Sequence, residues 1–365
     1  MRLLIHNKIH IKFLDPPKSI RDYLTDQFWC FVSDGGGNVD VEVQFVDRIR
    51  SKGLTYISSL ACYDEKRFFL IDKYGNKSSL PFDALTEDRC KVVAEKDIDP
   101  GFFFRSILQS IIRYRLIRHD IAYVHSSAVE YKGQGILFPA WGGIGKTSLL
   151  LRFMEDGARY MADDRVLVSS EGKMLIHNTA LNLLHYNYKE FPRLRERLDM
   201  TKKVFFFANR FIERVSEAWL KWNSKRSFFN KVIVAVRDLS NKTLWTEVDV
   251  RKVFPESGIS IQTSLDKIFF MSRVAEEDFR VRPFSAEELA RRMAACLRGD
   301  LNKMERAYQM FLFAFPYKDN PLVQNAPEEE LKIMEKAFSG KDIWSILIPK
   351  EADSKEVFEL VKSLL

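Results

Sequence analysis

The sequence has few cysteines and no long apolar run, and both shortages narrow the class of protein. Its 365 residues include four cysteines, none of them in a Cys-x-x-Cys pair, so we expect neither a disulfide framework nor a cysteine zinc site. No stretch approaches the roughly 18 consecutive apolar residues of a membrane-spanning helix. The first 13 residues carry basic side chains where a signal peptide would have its apolar core. We therefore expect a cytoplasmic protein without a transmembrane segment.

Internal repeats and low-complexity tracts are also missing, and the length indicates a folded chain of about two domains. The 46% of hydrophobic residues is enough for a sizeable core. Within the first hundred residues, the segments 9–13, 39–45 and 67–71 alternate or run apolar at strand length. We predict a β-rich region over residues 1–100 and a second domain over residues 101–365.

The segment 135–154 has the pattern of a strand, a phosphate-binding loop and a helix. Small residues in the loop allow successive backbone N–H groups to face one concavity at the start of the helix, which suits a polyphosphate. The loop departs from the Walker A pattern at Ala140, where Gly is expected, so its first turn has to tolerate a Cβ. The residues predicted to bind the nucleotide are Ala140, Trp141, Gly142, Gly143, Ile144, Gly145, Lys146, Thr147 and Ser148.

Two side chains of this loop carry the chemistry of phosphate binding. Lys146 can reach the β and γ oxygens of a nucleotide, and Thr147 stands where such loops place their Mg²⁺ ligand. The sequence therefore predicts ATP and Mg²⁺ as cofactors. The alternative is an ordinary glycine-rich turn before a helix, which a Gly-Lys-Thr sequence at a strand-to-helix junction disfavours.

Two adjacent carboxylates, Asp163 and Asp164, follow this loop closely in sequence. The helix that begins at Lys146 should end at Gly157, and residues 158–162 then read as a short strand that delivers both carboxylates beside the loop. ATP transporters and GTP switches place their acidic strand much farther along the chain. Upstream, His125 begins a strand that turns back into the one feeding the loop, so we expect it on a neighbouring strand.

Together these pieces resemble the catalytic domain of HPr kinase/phosphorylase, a family with the PEP-carboxykinase-like P-loop fold. The matching segments are His125-Ser126, residues 135–147 and residues 157–164, within a stretch of roughly 45 residues. The resemblance implies an α/β fold in which a P-loop kinase domain of the PEP-carboxykinase/HPr-kinase type, with a mixed sheet, follows the β-rich N-terminal region.

The resemblance also implies a role for each residue of the site. Asp163 is the general base toward a hydroxyl, Asp164 and His125 are its supporting shell, and Thr147 is the Mg²⁺ ligand. The family's second metal-binding carboxylate belongs to a downstream signature, Glu followed by Arg-Gly, which this sequence lacks. Glu190 is the nearest carboxylate in sequence and only a weak candidate for that ligand.

We therefore expect an ATP-dependent kinase that phosphorylates a hydroxyl, either a serine of a protein or peptide or a small molecule. The alternative is a regulatory or scaffold protein that binds ATP through the altered loop and transfers nothing. The retained Asp163, Asp164 and His125 favour the kinase. A hydrolase of the switch or transporter type is disfavoured, because the sequence has neither a Leu-Ser-Gly-Gly-Gln signature nor a guanine-reading motif. The acceptor, a dephosphorylating activity and a homo-oligomer stay open.

Residues 201–231 combine eight basic side chains with many aromatic ones. An amphipathic helix with a solvated basic side explains this pattern most simply. A lid or docking face for the acceptor is the functional alternative, and nucleic acid is a disfavoured partner. Farther along the chain, we expect a turn-rich loop over residues 316–327.

Overall fold

Strands form where the N-terminal sequence alternates apolar and polar side chains. Val41, Val43 and Phe45 are buried, whereas the residues between them are half-buried, as expected for a strand with one face on a core. The computed structural model describes residues 1–178, 180–196 and 246–365. The first strands are β1 (Arg2–Ile5), β2 (Ile9–Leu14), β3 (Val41–Val46), β4 (Thr55–Ser58), β5 (Ala61–Tyr63), β6 (Phe68–Ile71), β7 (Lys77–Ser79) and β8 (Cys90–Glu95).

These eight strands make one sheet in the order β1-β2-β3-β8-β7-β6-β5-β4. Strand β3 runs parallel to both of its neighbours, β2 and β8, and the other pairs are antiparallel. The N-terminal region is therefore β-rich, as predicted.

A second sheet carries the phosphate loop. The remaining strands are β9 (Ile121–Tyr131), β10 (Gln134–Pro139), β11 (Arg159–Ala162), β12 (Arg165–Ser169), β13 (Lys173–Leu175), β14 (Ala180–Leu183), β15 (Thr246–Asp249), β16 (Gln262–Ser264), β17 (Lys267–Val274), β18 (Arg280–Pro283) and β19 (Asp342–Pro349). Strands β14 and β15 pair with each other outside this sheet. The order is β16-β13-β12-β9-β10-β17-β19-β18, and β11 also pairs with β9. Because β17 is parallel to β10 and β19 while β9 is antiparallel to β10, the sheet is mixed. The predicted α/β fold with a mixed sheet is confirmed.

Helices cover these sheets and connect their strands. One of them, α2, is continuous over Pro100–Phe102, Phe103–Leu108 and Gln109–Ile117, with π-helical geometry in its middle segment. None of the helices that the structure describes is both long and apolar enough to cross a membrane. The other helices are α1 (Lys18–Phe28), α3 (Lys146–Glu155), α4 (His185–Glu190), α5 (Pro192–Glu196), α6 (Val250–Val253), α7 (Ala286–Asp300), α8 (Asn302–Ala314), α9 (Pro321–Phe338) and α10 (Ser354–Ser363).

The N-terminal sheet and the sheet of the phosphate loop share one apolar core cluster. At their junction, His177 packs among Phe28, Phe104 and Tyr123, with ring centroids 5.9, 6.0 and 4.8 Å away. The Nδ1 atom of His177 lies 3.2 Å from the Tyr123 hydroxyl. Complete burial lowers the pKa of His177 to about 3, so the imidazole is neutral at physiological pH.

The loop predicted over residues 316–327 is wrong from Pro321 onward, because α9 begins there. Asn320 caps the helix by accepting a hydrogen bond from the backbone N–H of Leu322, and Pro321 occupies the first turn, where its missing N–H costs nothing. Pro327 lies inside the helix, at a cost of about 3 kcal/mol. Buried apolar side chains and the pair of Glu330 with Arg113 of α2 offset that cost.

The basic and aromatic segment 201–231 lies outside the residues that the structure describes. Its interpretation as a solvated helix, a lid or a docking face remains a prediction.

Candidate active site

The loop after β10, predicted to bind phosphate, has no glycine at its first position. Ala140 is fully buried and forms a parallel bridge with Met271 of β17, so it continues the strand instead of beginning a turn. The left-handed conformations lie farther on, at Gly143 and Gly145, with φ angles of +81° and +113°. Because a side chain is strained at such angles, these glycines are required where Ala140 is not.

Lys146 opens helix α3 and folds its side chain back into the loop. Its Nζ donates hydrogen bonds to the carbonyl oxygens of Ala140 at 2.9 Å and Trp141 at 3.0 Å. Burial lowers the pKa of this ammonium group, an effect that Asp164 and Asp163 oppose. The lysine is therefore held among backbone acceptors beside two carboxylates, in a position to exchange those contacts for phosphate oxygens.

Asp163 ties the acidic pair to the phosphate loop. Its carboxylate accepts hydrogen bonds from the hydroxyls of Thr147 at 2.9 Å and Ser127 at 3.0 Å, and from the backbone N–H of Asn182 at 2.9 Å. The residue is 3% exposed. Burial, followed by the charge of Asp164, raises its pKa to about 6. A hydroxyl and a carboxylate in contact are a donor set that suits Mg²⁺.

Asp164 has a different environment from its neighbour. Its backbone is left-handed, with a φ of +70°, and its side chain is 44% exposed. The Nε2 atom of His125, on the adjacent strand β9, lies 3.7 Å from its Oδ1. His125 therefore contacts the second carboxylate of the pair, and its Nδ1 contacts Asp300, the last residue of α7.

Two adjoining cavities meet at the phosphate loop. The smaller has a volume of about 290 Å³, and the larger, about 610 Å³, extends from the loop toward α10. Tyr186 and Leu184 line both cavities. The smaller one is lined by Gly142, Gly143, Gly145, Lys146, Thr147, Asp163, Asp164, Asn182, Leu184 and Tyr186.

The other residues predicted for the site lie in helix α3, in the larger cavity or on the surface. Ser148 is buried in α3, and its hydroxyl accepts a hydrogen bond from Asn187 at 3.1 Å. Ile144 lines the larger cavity, and Trp141 is 61% exposed. Glu190 also faces the larger cavity, where it contacts Arg152 and Ser354. The structure thus does not bring Glu190 together with Thr147 and Asp163.

A second group of potential metal ligands consists of His125, Cys296 and Asp300. Their ligand atoms lie within 4.8 Å of one another. However, Nδ1 of His125 is already engaged by Asp300, and burial raises the pKa of the Cys296 thiol to about 11. A protonated thiol is a poor metal ligand, so this group is better suited to orienting His125.

Three residues of the site were not predicted from the sequence. Arg273 of β17 donates a hydrogen bond to the carbonyl oxygen of Ile144 at 3.2 Å and so braces the phosphate loop. Asn182 supplies the N–H that holds Asp163, and Asp300 holds His125. All three lie far from the loop in sequence and in no motif, so only the fold brings them to the site.

Comparison with known proteins supports the resemblance in sequence. No family model matches the chain. A segment of 146 residues is 31% identical to an HPr kinase/phosphorylase of Lactobacillus acidophilus, and the match covers 37% of this chain and 44% of that protein. The chain thus spans less than half the length of this relative.

Among solved structures, the HPr(Ser) kinase/phosphatase of Coxiella burnetii aligns with 50% of this chain and 98% of its own, at 13% identity and a TM-score of 0.21. So low a score carries no weight, and the likeness depends on the sequence match. That match, over 146 residues, supports an HPr kinase-like fold.

Proposed function

We propose that this protein is an ATP-dependent kinase that phosphorylates a hydroxyl. The observation that carries the proposal is the gathering of Lys146, Thr147, Asp163 and Asp164 around one cavity at the phosphate loop. A site that only binds nucleotide needs the lysine and the hydroxyl, but not two adjacent carboxylates held beside them. The 31% identity to a protein named HPr kinase/phosphorylase supports the same reaction class.

The proposed division of the cavities follows from their linings. The smaller one, with Lys146 and the glycines, suits the phosphates, and the larger suits the nucleoside because Tyr186, Leu184 and Met271 offer apolar surface. Thr147 is the side chain proposed to hold Mg²⁺. When bound, ATP would supply the phosphoryl group, and Mg²⁺ would partly neutralise the charge of the phosphates.

Transfer requires a proton acceptor for the attacking hydroxyl. We assign this role to Asp163, which lines the phosphate cavity and whose raised pKa of about 6 suits a base that works near neutral pH. The hydroxyl oxygen bonds to the γ phosphorus as its proton passes to the carboxylate and the bond from phosphorus to the β–γ bridging oxygen breaks. Asp164 is the alternative base, because its side chain is the more exposed of the two.

The acceptor belongs to one of two classes, a serine of a protein or peptide, or a small molecule. The proposed site is compatible with either, and reversal of the reaction by phosphorolysis is not part of the proposal. An inert nucleotide-binding protein is the competing function. Its support is that Glu190, the candidate for the second metal ligand, does not line the phosphate cavity.

A transfer assay distinguishes the kinase from the inert binder. The full chain is incubated with γ-labelled Mg-ATP and fractionated cell extract, and the label is followed into protein and small-molecule fractions. Asp163→Asn serves as the matched inactive variant, because it keeps the size of the side chain and removes the proton acceptor. We expect labelling by the natural chain and little by the variant. Mg-ATP binding without labelling of any fraction would support the inert binder.

A further inference from the structure

We propose that Asp300 is a positioning residue that fixes the orientation and tautomer of His125, and thereby directs Nε2 of that histidine at Asp164. The inference depends on the proposed function only for its kinetic consequence. Asp300 is the C-terminal residue of α7 and reaches the site from a helix far along the chain. Its carboxylate contacts Nδ1 of His125, on the central strand β9.

The ionisation state of Asp300 determines which nitrogen of the His125 ring carries the proton. Burial is the largest single influence on the pKa of Asp300 and would raise it, but the hydrogen bond from His125 and the positive charges around the carboxylate, those of Arg165 and Lys146 among them, together lower it. Asp300 is therefore ionised at neutral pH, and an ionised carboxylate can only accept hydrogen bonds. Nδ1 of His125 must then carry the hydrogen, as in other sites where a carboxylate selects a histidine tautomer.

With Nδ1 occupied, Nε2 is the atom left for the catalytic cavity. It is buried and has no hydrogen-bond partner among the described residues, and it lies 3.7 Å from Oδ1 of Asp164. A buried polar atom without a partner is costly in a purely structural role. The three residues thus form a line from Asp300 through His125 to Asp164, which itself lines the phosphate cavity.

Two neighbouring cations favour the ionised form of Asp300. Arg165 stands opposite His125 in the register of strands β12 and β9, and its charge, like that of Lys146, lowers the pKa of Asp300. The buried thiol of Cys296 completes the surroundings, with a ligand atom within 4.8 Å of those of His125 and Asp300. Rotation of the His125 ring would leave the carboxylate of Asp300 without this hydrogen-bond donor.

The test compares Asp300→Asn with the full natural chain by long-range ¹H–¹⁵N correlation of the histidine rings. His125→Gln assigns the His125 signals. The natural chain should show a proton on Nδ1 of His125. In Asp300→Asn the side-chain amide can donate to the ring, so the Nδ1–H pattern should be reduced or lost. Asp278→Asn makes the same change at an exposed carboxyl between β17 and β18 and should leave the pattern intact.

Single-turnover phosphate transfer supplies the second measurement. Asp300→Asn should lower the transfer rate by about tenfold or more, a common effect of losing a residue that orients a catalytic group, with Mg-ATP affinity changed less than about twofold. Asp300→Glu should recover part of the rate and of the Nδ1–H signal. If Asp300→Asn does not fold, the glutamate variant carries the comparison.

Two outcomes separate this inference from the proposed function. An unchanged nitrogen pattern in folded Asp300→Asn overturns the positioning role, whatever the transfer rate. If the natural chain transfers no phosphate, the kinase proposal fails, and the nitrogen pattern alone still decides whether Asp300 fixes His125.

Discussion

Two buried charged clusters in this protein have opposite electrostatics. In the first, Arg113 and Glu330 join α2 to α9 through two hydrogen bonds of 2.7 Å, and each side chain is 2% exposed. Burial would lower the pKa of Arg113, but Glu330 outweighs it and raises that pKa. The charges of the first cluster therefore neutralise each other without a ligand.

The second cluster consists of Lys146, Asp163 and Asp164, and its charges are not fully compensated. Burial lowers the pKa of Lys146 and raises that of Asp163, so each group is held in surroundings that disfavour its charged form. Such shifts are common at functional sites, where the pKa of a group is matched to its task. The comparison distinguishes a buried pair whose charges neutralise each other, as expected of a structural contact, from a cluster whose charges do not, as expected of a candidate binding site.

The largest expected effect is a loss of stability when the pair of Arg113 and Glu330 is broken. Glu330→Gln leaves the buried guanidinium of Arg113 without its counter-charge, which should lower the free energy of unfolding by about 3–5 kcal/mol. Mg-ATP affinity of the folded variant should be unchanged. Urea denaturation and calorimetry measure the two quantities. Glu329→Gln is the control, because Glu329 pairs with Lys332 on the surface. A loss of stability no larger than the control's would mean that the pair is not structural.

The next effect concerns the second cluster. Asp163→Asn should reduce single-turnover phosphate transfer by roughly 10² or more, the usual contribution of general base catalysis. Mg-ATP binding should persist or tighten, because one negative charge beside the phosphates is removed. Asp164→Asn should affect transfer less. If Asp164→Asn has the larger effect, the two carboxylates exchange roles, and if Asp163→Asn loses binding together with transfer, Asp163 is a ligand and not the base.

Lys146→Ala tests the cation of the same cluster. Removing a charged hydrogen-bond donor to phosphate should weaken Mg-ATP binding roughly 10- to 100-fold, as expected for a contribution of about 1.5–3 kcal/mol. The fold should remain intact, since among the described residues the hydrogen bonds of Nζ go to the loop carbonyls of Ala140 and Trp141. Lys350→Ala, at an exposed position, is the control. Equal affinity in calorimetry for the variant and the natural chain would contradict phosphate binding by this loop.

The sequence predicted the parts of this molecule that local patterns encode. The strand, loop and helix around Lys146 are continuous in sequence, and the glycines that the loop needs stand at fixed offsets from it. Asp163 and His125 were placed near the loop by hairpins that follow from short strands. Asp300 and Arg273 were not predicted, because each reaches the site through helix and strand packing that no short motif records.

The helix α9 shows the same limit for the fold. Pro321 and Pro327 are typical of a loop, and they led to the prediction of one. The helix forms because its apolar face and the pair of Glu330 with Arg113 provide tertiary contacts that local propensity does not include. The two clusters therefore also differ in how far the sequence predicts them: a local motif predicts the candidate binding site, whereas packing alone forms the pair of Arg113 and Glu330.

The smallest effect concerns pH and the junction of the two sheets. His177 has a folded pKa of about 3, below its ordinary value of 6.5, because burial disfavours the imidazolium. The stability that it contributes is therefore present above pH 6.5 and is lost as the pH falls toward 3. The expected slope approaches about 1.4 kcal/mol per pH unit in this window. Urea denaturation at pH 7, 6 and 5 measures it.

His177→Phe should remove most of this slope, because phenylalanine keeps an aromatic ring among Phe28, Phe104 and Tyr123 and has no proton to bind. His119→Phe is the comparison at an exposed position; because burial also lowers the pKa of His119, it should remove a smaller part of the slope than His177→Phe does. The variant at 177 loses the contact with the Tyr123 hydroxyl, so its stability at pH 7 is compared separately from the slope. An equal pH dependence in His177→Phe and the natural chain would show that groups other than His177 cause it.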